Sequence, residues 1–172
     1  MRKVKKFKLT SEFIVDISGV KLFRIKALIE FGNVKAGDLG GYIEKEKNLS
    51  HMGNAQVFGN AQVFGNARVF GNARVSGDAQ VSGNAWVFGD AQVFGDARVS
   101  GDKDYAYAHG FGSCNRTTTF FRLKDGDVGV RCGCFYGTLA QFRDNVCETH
   151  GETKKAQEYL MLADLMDFRF KN

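Results

Sequence analysis

From Gly53 to Ser100 the chain repeats a six-residue unit eight times: GNAQVF, GNAQVF, GNARVF, GNARVS, GDAQVS, GNAWVF, GDAQVF and GDARVS. A short fixed period constrains a fold strongly, because every unit makes the same local structure and buries itself on its neighbours. Six residues suffice for one short strand and one turn. Ala and Val stand two apart, so they share one face of that strand. Gly followed by Asn or Asp supplies the turn, since positive φ is free for Gly and tolerated by Asn and Asp. Three hexads, about 18 residues, close one triangular coil, and stacked coils pair their backbones. The pattern predicts a mainly β fold, a short left-handed parallel β-helix with Ala and Val inside the prism. Eight hexads make about 2.7 coils, on the order of 13 Å tall at the spacing of paired strands.

So short a prism needs its ends covered, because open coils are unpaired strand edges. Residues 31–36 and 37–42 read as degenerate hexads below the repeats, and Tyr105 and Phe111 continue the Val position above them. The expected division is an N-terminal β-hairpin cap over residues 1–30, the β-helix over 31–111, and a C-terminal β-hairpin with two helices over 112–172. Phe7 and Leu9, then Phe13 to Ile17, and Lys21 to Leu28 read as the first hairpin, turning at Ser18-Gly19. Asp125-Gly126 reads as a two-residue turn. That register sets Phe121 opposite Val130 and Thr119 opposite Cys132 on a buried face, with Phe120 opposite Arg131 on the other. Thr138 and Gln141 form a capping box for a helix ending at His150-Gly151. A last helix, from about Lys154, carries Ala156, Tyr159, Leu160, Ala163 and Met166 on one face.

The outward positions hold the chemistry of the repeat. The residue before each Val points out, and a spacing of 18 stacks Gln56, Arg74 and Gln92 on one face. Gln62, Gln80 and Arg98 stack on the second, and Arg68 and Trp86 on the third. The residue after Val lies outward or at a corner, and five are Phe: Phe58, Phe64, Phe70, Phe88 and Phe94. That much apolar surface predicts an interface, with the chain's own flanks and with further copies in a homo-oligomer, a trimer first.

Charge excludes little. The net charge of +5 is N-terminal, with Arg2, Lys3, Lys5, Lys6 and Lys8 in one short arm. No helix-turn-helix, zinc-finger or RNA-binding aromatic motif accompanies it, so nucleic acid is not the expected partner. The sequence offers no apolar run of membrane-spanning length and no signal peptide, so a cytoplasmic location in the host cell is expected.

Many left-handed β-helix proteins are acyltransferases with a His base. Here the repeats contain no His, and His51, His109 and His150 all lie outside them. No loop interrupts the repeats to wall a pocket, so acyl transfer is a third reading, with His109 its least poor base. Cys114, Cys132, Cys134 and Cys147 lack paired C-x2-C spacing. Buried thiols are expected of them rather than a zinc site, and neither metal nor cofactor is expected.

Residues 22–28 and 34–50, followed by the GNAxV units, resemble the hexapeptide-repeat proteins common in bacteriophages and prophages. Residues 115–120 and 133–139 resemble the tail that often follows those repeats. The resemblance implies the β-helix and no catalytic residues. It implies a setting in which a small protein binds and neutralises something from the host, either a small anionic nucleotide used as an immune signal or a host protein. For the nucleotide, Arg116, Thr118, Phe120, Arg122 and Arg131 are the expected ligand face, since Arg forks suit phosphates and rings suit bases. The alternative is that Arg131 simply packs on Phe120. Arg68 with Trp86 is a second candidate patch. The function expected is thus non-catalytic sequestration, with a protein-binding or structural module as runner-up.

Overall fold

The computed structural model describes residues 4–171; Arg2 and Lys3 of the basic arm lie outside the described residues. Each hexad contributes one two-residue strand. In chain order these are β4 (Gln56–Val57), β5 (Gln62–Val63), β6 (Arg68–Val69), β7 (Arg74–Val75), β8 (Gln80–Val81), β9 (Trp86–Val87), β10 (Gln92–Val93) and β11 (Arg98–Val99). They form three parallel faces, β4-β7-β10, β5-β8-β11 and β6-β9, with Gln56 opposite Arg74 and Arg74 opposite Gln92. The fold is a β-solenoid of about three turns. Every repeat Ala from Ala55 to Ala97 is fully buried, as are the Val from Val57 to Val99 to within 2%. Corners need glycine: Gly77 has φ +69°, and a Cβ there would stand 2.8 Å from the Gly95 nitrogen of the coil above. Beside it, Asn60 donates to Asp78 and Asn72 to Asp90, each at 3.1 Å, so the Asn of lower coils and the Asp of upper ones make a ladder.

The coils have a direction, because each lower amide donates upward, as Gln56 N does to Ala73 O at 2.9 Å. The bottom therefore presents carbonyls and the top presents amides. Below, β3 (Leu39–Ile43) lies under β5, and Tyr42 N donates to Ala61 O at 2.9 Å. Asn48 Nδ2 covers Gly65 O and Ala67 O at 3.2 and 2.9 Å. Lys6 Nζ covers Ala55 O and Gly53 O at 2.8 and 3.3 Å. Above, the caps are acceptors: Asp102 Oδ1 takes Trp86 N at 2.8 Å and Thr119 Oγ1 takes Gln92 N at 2.9 Å. Donors meet carbonyls at one end and acceptors meet amides at the other, which leaves few buried backbone groups unpaired.

The first hairpin, β1 (Phe7–Val15) and β2 (Lys21–Ala27), joins the prism edge-on through β3, giving the order β1-β2-β3-β5-β8-β11. Of the two degenerate hexads, the second supplies β3, whereas the first makes a small turn closed by the Phe31–Val34 bridge. At the top, Tyr105 fills the coil end, yet its strand β12 (Tyr105–His109) pairs antiparallel with β13 (Thr117–Arg122), and Phe111 is exposed. The coil therefore does not continue through Phe111 as expected.

The sheet order is β12-β13-β14-β15, with β14 at Val128–Cys132 and β15 at Phe135–Thr138. One face, with Phe121, closes the prism core. The other, with Phe120, Val130 and Cys132, packs under α1 (Leu139–His150) and α2 (Lys154–Phe170). The capping box at Thr138 and Gln141 and the positive φ of Gly151 are where the sequence puts them. The hairpin register is not. Leu123 N donates to Asp127 O and Gly126 N to Leu123 O, so the loop has three residues instead of two. Phe120 then pairs Val130, and Thr119 pairs Arg131.

Candidate functional site

That one-residue shift dissolves the expected ligand face. Alternate side chains point to opposite faces, and both faces of β13 are covered, so Thr118 and Phe120 are buried. Arg131 does not pack on Phe120 either; it turns toward the prism and lies 4.7 Å over the Phe94 ring. Arg122 lies over Phe170 and donates to its carbonyl at 3.2 Å. Of the five expected residues, Arg116 alone is exposed.

Arg116 borders a cleft of about 590 Å³ between the sheet, the loop at 110–116, α1 and α2. One stripe of α1 walls it: Phe142, Asn145, Val146, Thr149 and His150, at the spacing i, i+3, i+4, i+7, i+8 of one helix face. Phe135, Tyr136 and Tyr159 add rings, and no Asp or Glu is among its lining residues. The floor is a chain of neutral hydrogen bonds. Thr118 Oγ1 donates to Cys132 Sγ at 3.2 Å, and the thiol reaches the Tyr159 hydroxyl at 3.8 Å. That hydroxyl donates to Ser113 O at 3.3 Å and accepts from Ser113 N at 2.9 Å. Burial, with Cys132 beside it, pushes the Tyr159 phenol above its ordinary range. The loop is held in an unusual shape, with left-handed φ at Cys114 and Asn115. Gly112 N donates to Glu158 Oε2 at 2.6 Å, which anchors the loop to α2. A Cβ at Gly133 would overlap the Arg116 guanidinium, so glycine there lets the arginine lie along the sheet end. At the mouth, the Ser113 hydroxyl, with Arg116 and Lys155, holds the exposed Cys114 thiol below its ordinary range.

The histidines are dispersed. His51 stacks on Phe7 and accepts from Lys6 N, His109 pairs with Thr117 Oγ1, and His150 tilts against Tyr159. Cys132 is buried, whereas Cys114, Cys134 and Cys147 are exposed, Cys134 because β14 ends before it, so the buried thiol expected of all four is found at Cys132 alone. Among the described residues no three metal-ligating groups gather.

The five outer Phe do not make one patch, because successive hexads place them at three different corners. Phe58 lies under Arg74 and Phe94 against Tyr136, so both face the chain's own flanks, and Phe64 stands at a corner apart. Phe70 stacks on Phe88 at 5.2 Å, Phe70 meets Trp86 edge-on, and Phe88 meets Tyr107. Arg68 lies 5.8 Å over Trp86, which is 48% exposed. The second expected patch thus exists as a column of rings on the face of β6 and β9.

These features define a β-solenoid repeat protein with a capped C-terminal cleft. The repeats themselves match the YdcK beta-solenoid repeat at residues 61–77, 67–83, 79–93 and 91–102. No curated protein matches the chain.

Proposed function

We propose that the protein is a non-catalytic binding module whose C-terminal cleft holds a small anionic ligand bearing an aromatic ring, a nucleotide being the class its chemistry fits best. One observation carries this reading: Arg116 and His150 stand among the rings of Phe135, Tyr136, Phe142 and Tyr159 with no carboxylate in the lining. An arginine fork recognises a phosphate, and rings recognise a base. In the phage-type setting that the resemblance implies, the ligand is a host signal and the module acts by keeping it. The site differs from the hairpin face first expected, sharing only Arg116 with its exposed residues. The test is calorimetry and native mass spectrometry with adenosine monophosphate, ADP-ribose and cyclic dinucleotides. At least one binds, and Arg116→Ala weakens it by about tenfold or more with circular dichroism unchanged. No binding by any of them, or equal binding by Arg116→Ala, overturns the assignment.

A second reading, a contact with further copies of this chain, rests on the exposed column of Trp86, Phe70, Phe88 and Tyr107. Clustered rings beside an arginine are the usual make-up of a protein contact.

A further inference from the structure

Among the described residues, three buried side-chain nitrogens have no hydrogen-bond partner: Arg24 Nε, His51 Nε2 and Arg74 Nε. Two of them face carboxylates, Arg24 toward Glu12 at 3.3 Å and His51 toward Glu46 at 3.6 Å. Arg74 makes no ion pair among the described residues. Its half-buried guanidinium lies 5.4 Å over the Phe58 ring, which occupies one planar face and leaves the buried Nε–H unused. A buried donor without a partner costs as much as a lost hydrogen bond, and an ionised one costs more.

Arg74 also lines a second cavity, of about 270 Å³, at the other end of the molecule from the cleft. The segment 31–40 roofs it over the face of β4 and β7. Its walls are mostly apolar, including Phe7, Ile25, Phe31, Leu39 and Phe58. The other polar linings are committed. Gln56 donates to Asn33 Oδ1 at 2.8 Å, and Asp38 Oδ2 accepts from Lys35 N at 2.9 Å.

We infer that this cavity is a binding site for a small apolar monocarboxylic acid, its carboxylate paired with Arg74 and its body among the rings. A planar carboxylate matches the two parallel N–H groups along the guanidinium edge. One arginine neutralises one negative charge, and Asp38 in the lining disfavours a dianion such as a phosphate monoester. The volume holds on the order of nine water-sized groups, which suits an acid of about ten non-hydrogen atoms. The site shares no residue with the C-terminal cleft and stands or falls apart from it.

The probes are benzoate, hexanoate, benzamide and phenyl phosphate, titrated into the full chain by calorimetry, with the Arg74 Nε–H resonance followed by NMR. Benzoate or hexanoate binds and moves that resonance. Benzamide and phenyl phosphate bind about tenfold more weakly or worse, and Arg74→Gln loses about tenfold for the acids while Arg116→Ala loses nothing. Where Arg74→Gln fails to fold, the Nε–H shift in the unaltered chain decides. Absence of acid binding up to about 10 mM, an unmoved Nε–H at saturation, or equal affinity for benzamide overturns the inference.

Discussion

Lys6 stands where a lower coil would be, its ammonium donated to Ala55 O and Gly53 O and held 4.4 Å over the Phe31 ring. Burial pushes it down to about 8 from an ordinary 10.5. Between those values the unfolded chain keeps a proton that the folded one has shed, so the contribution of Lys6 to stability rises with pH across that window. Below about pH 8 both states are charged and the folded one carries the cost of a buried cation in full. Denaturant midpoints of the wild type and Lys6→Met at about pH 7 and about pH 10 test this. The gap moves in favour of the wild type at the higher pH; an unchanged gap means the amine titrates as in a free chain. The same residue shows what the sequence hides. It reads as one cation of a basic arm, and nothing in its spacing says that it reaches carbonyls more than forty positions away.

At the scale of elements, the three arginines first expected to act together, Arg116, Arg122 and Arg131, separate. Arg131, on β14, packs on Phe94, so Arg131→Ala lowers stability by about 0.5–1 kcal/mol and leaves ligand binding in the cleft intact. Chemical denaturation beside calorimetry checks both halves, and a loss of binding without a loss of stability would restore Arg131 to a ligand site. The sequence misplaces it for a physical reason. Asp-Gly suits a two-residue turn, and it suits equally a three-residue loop with glycine in the left-handed position. Gly126, at φ +90°, takes the second course, and one extra loop residue changes every partner along the hairpin. Alternation gives no warning, because Thr118, Thr119, Phe120 and Phe121 are all buried and the strand has no wet face. The repeats and the two helices were legible because their periods are long or strictly kept. The cleft was legible in part: the stripe from Phe142 to His150 is plain helix spacing, but it has meaning only once the loop at 110–116 is seen to fold against it.

For the molecule as a whole, the chain's own N-terminal segments adjoin two of the three prism faces. The sheet of β1, β2 and β3 extends one face, and the roof over Phe58 covers part of another. The third keeps its rings in the open, with Phe88 40% and Trp86 48% exposed. If copies associate there, sedimentation velocity finds a species of about three protomers that Trp86→Ala with Phe88→Ser reduces to a monomer. A species indifferent to both substitutions moves the contact elsewhere. No helix among the described residues is long and apolar enough to cross a membrane.

The matched ends of the solenoid make it a rod of adjustable length. A coil inserted whole would meet the same carbonyls below and the same amides above, and both caps would fit unchanged. A single hexad inserted below Trp86 would turn everything beyond it by one face, Asp102 and Thr119 together with the amides they receive, and would so rotate the upper end structure against the lower. Only whole turns lengthen such a chain while keeping its two end structures facing the same way, so their separation at fixed orientation is quantised by the geometry of the prism.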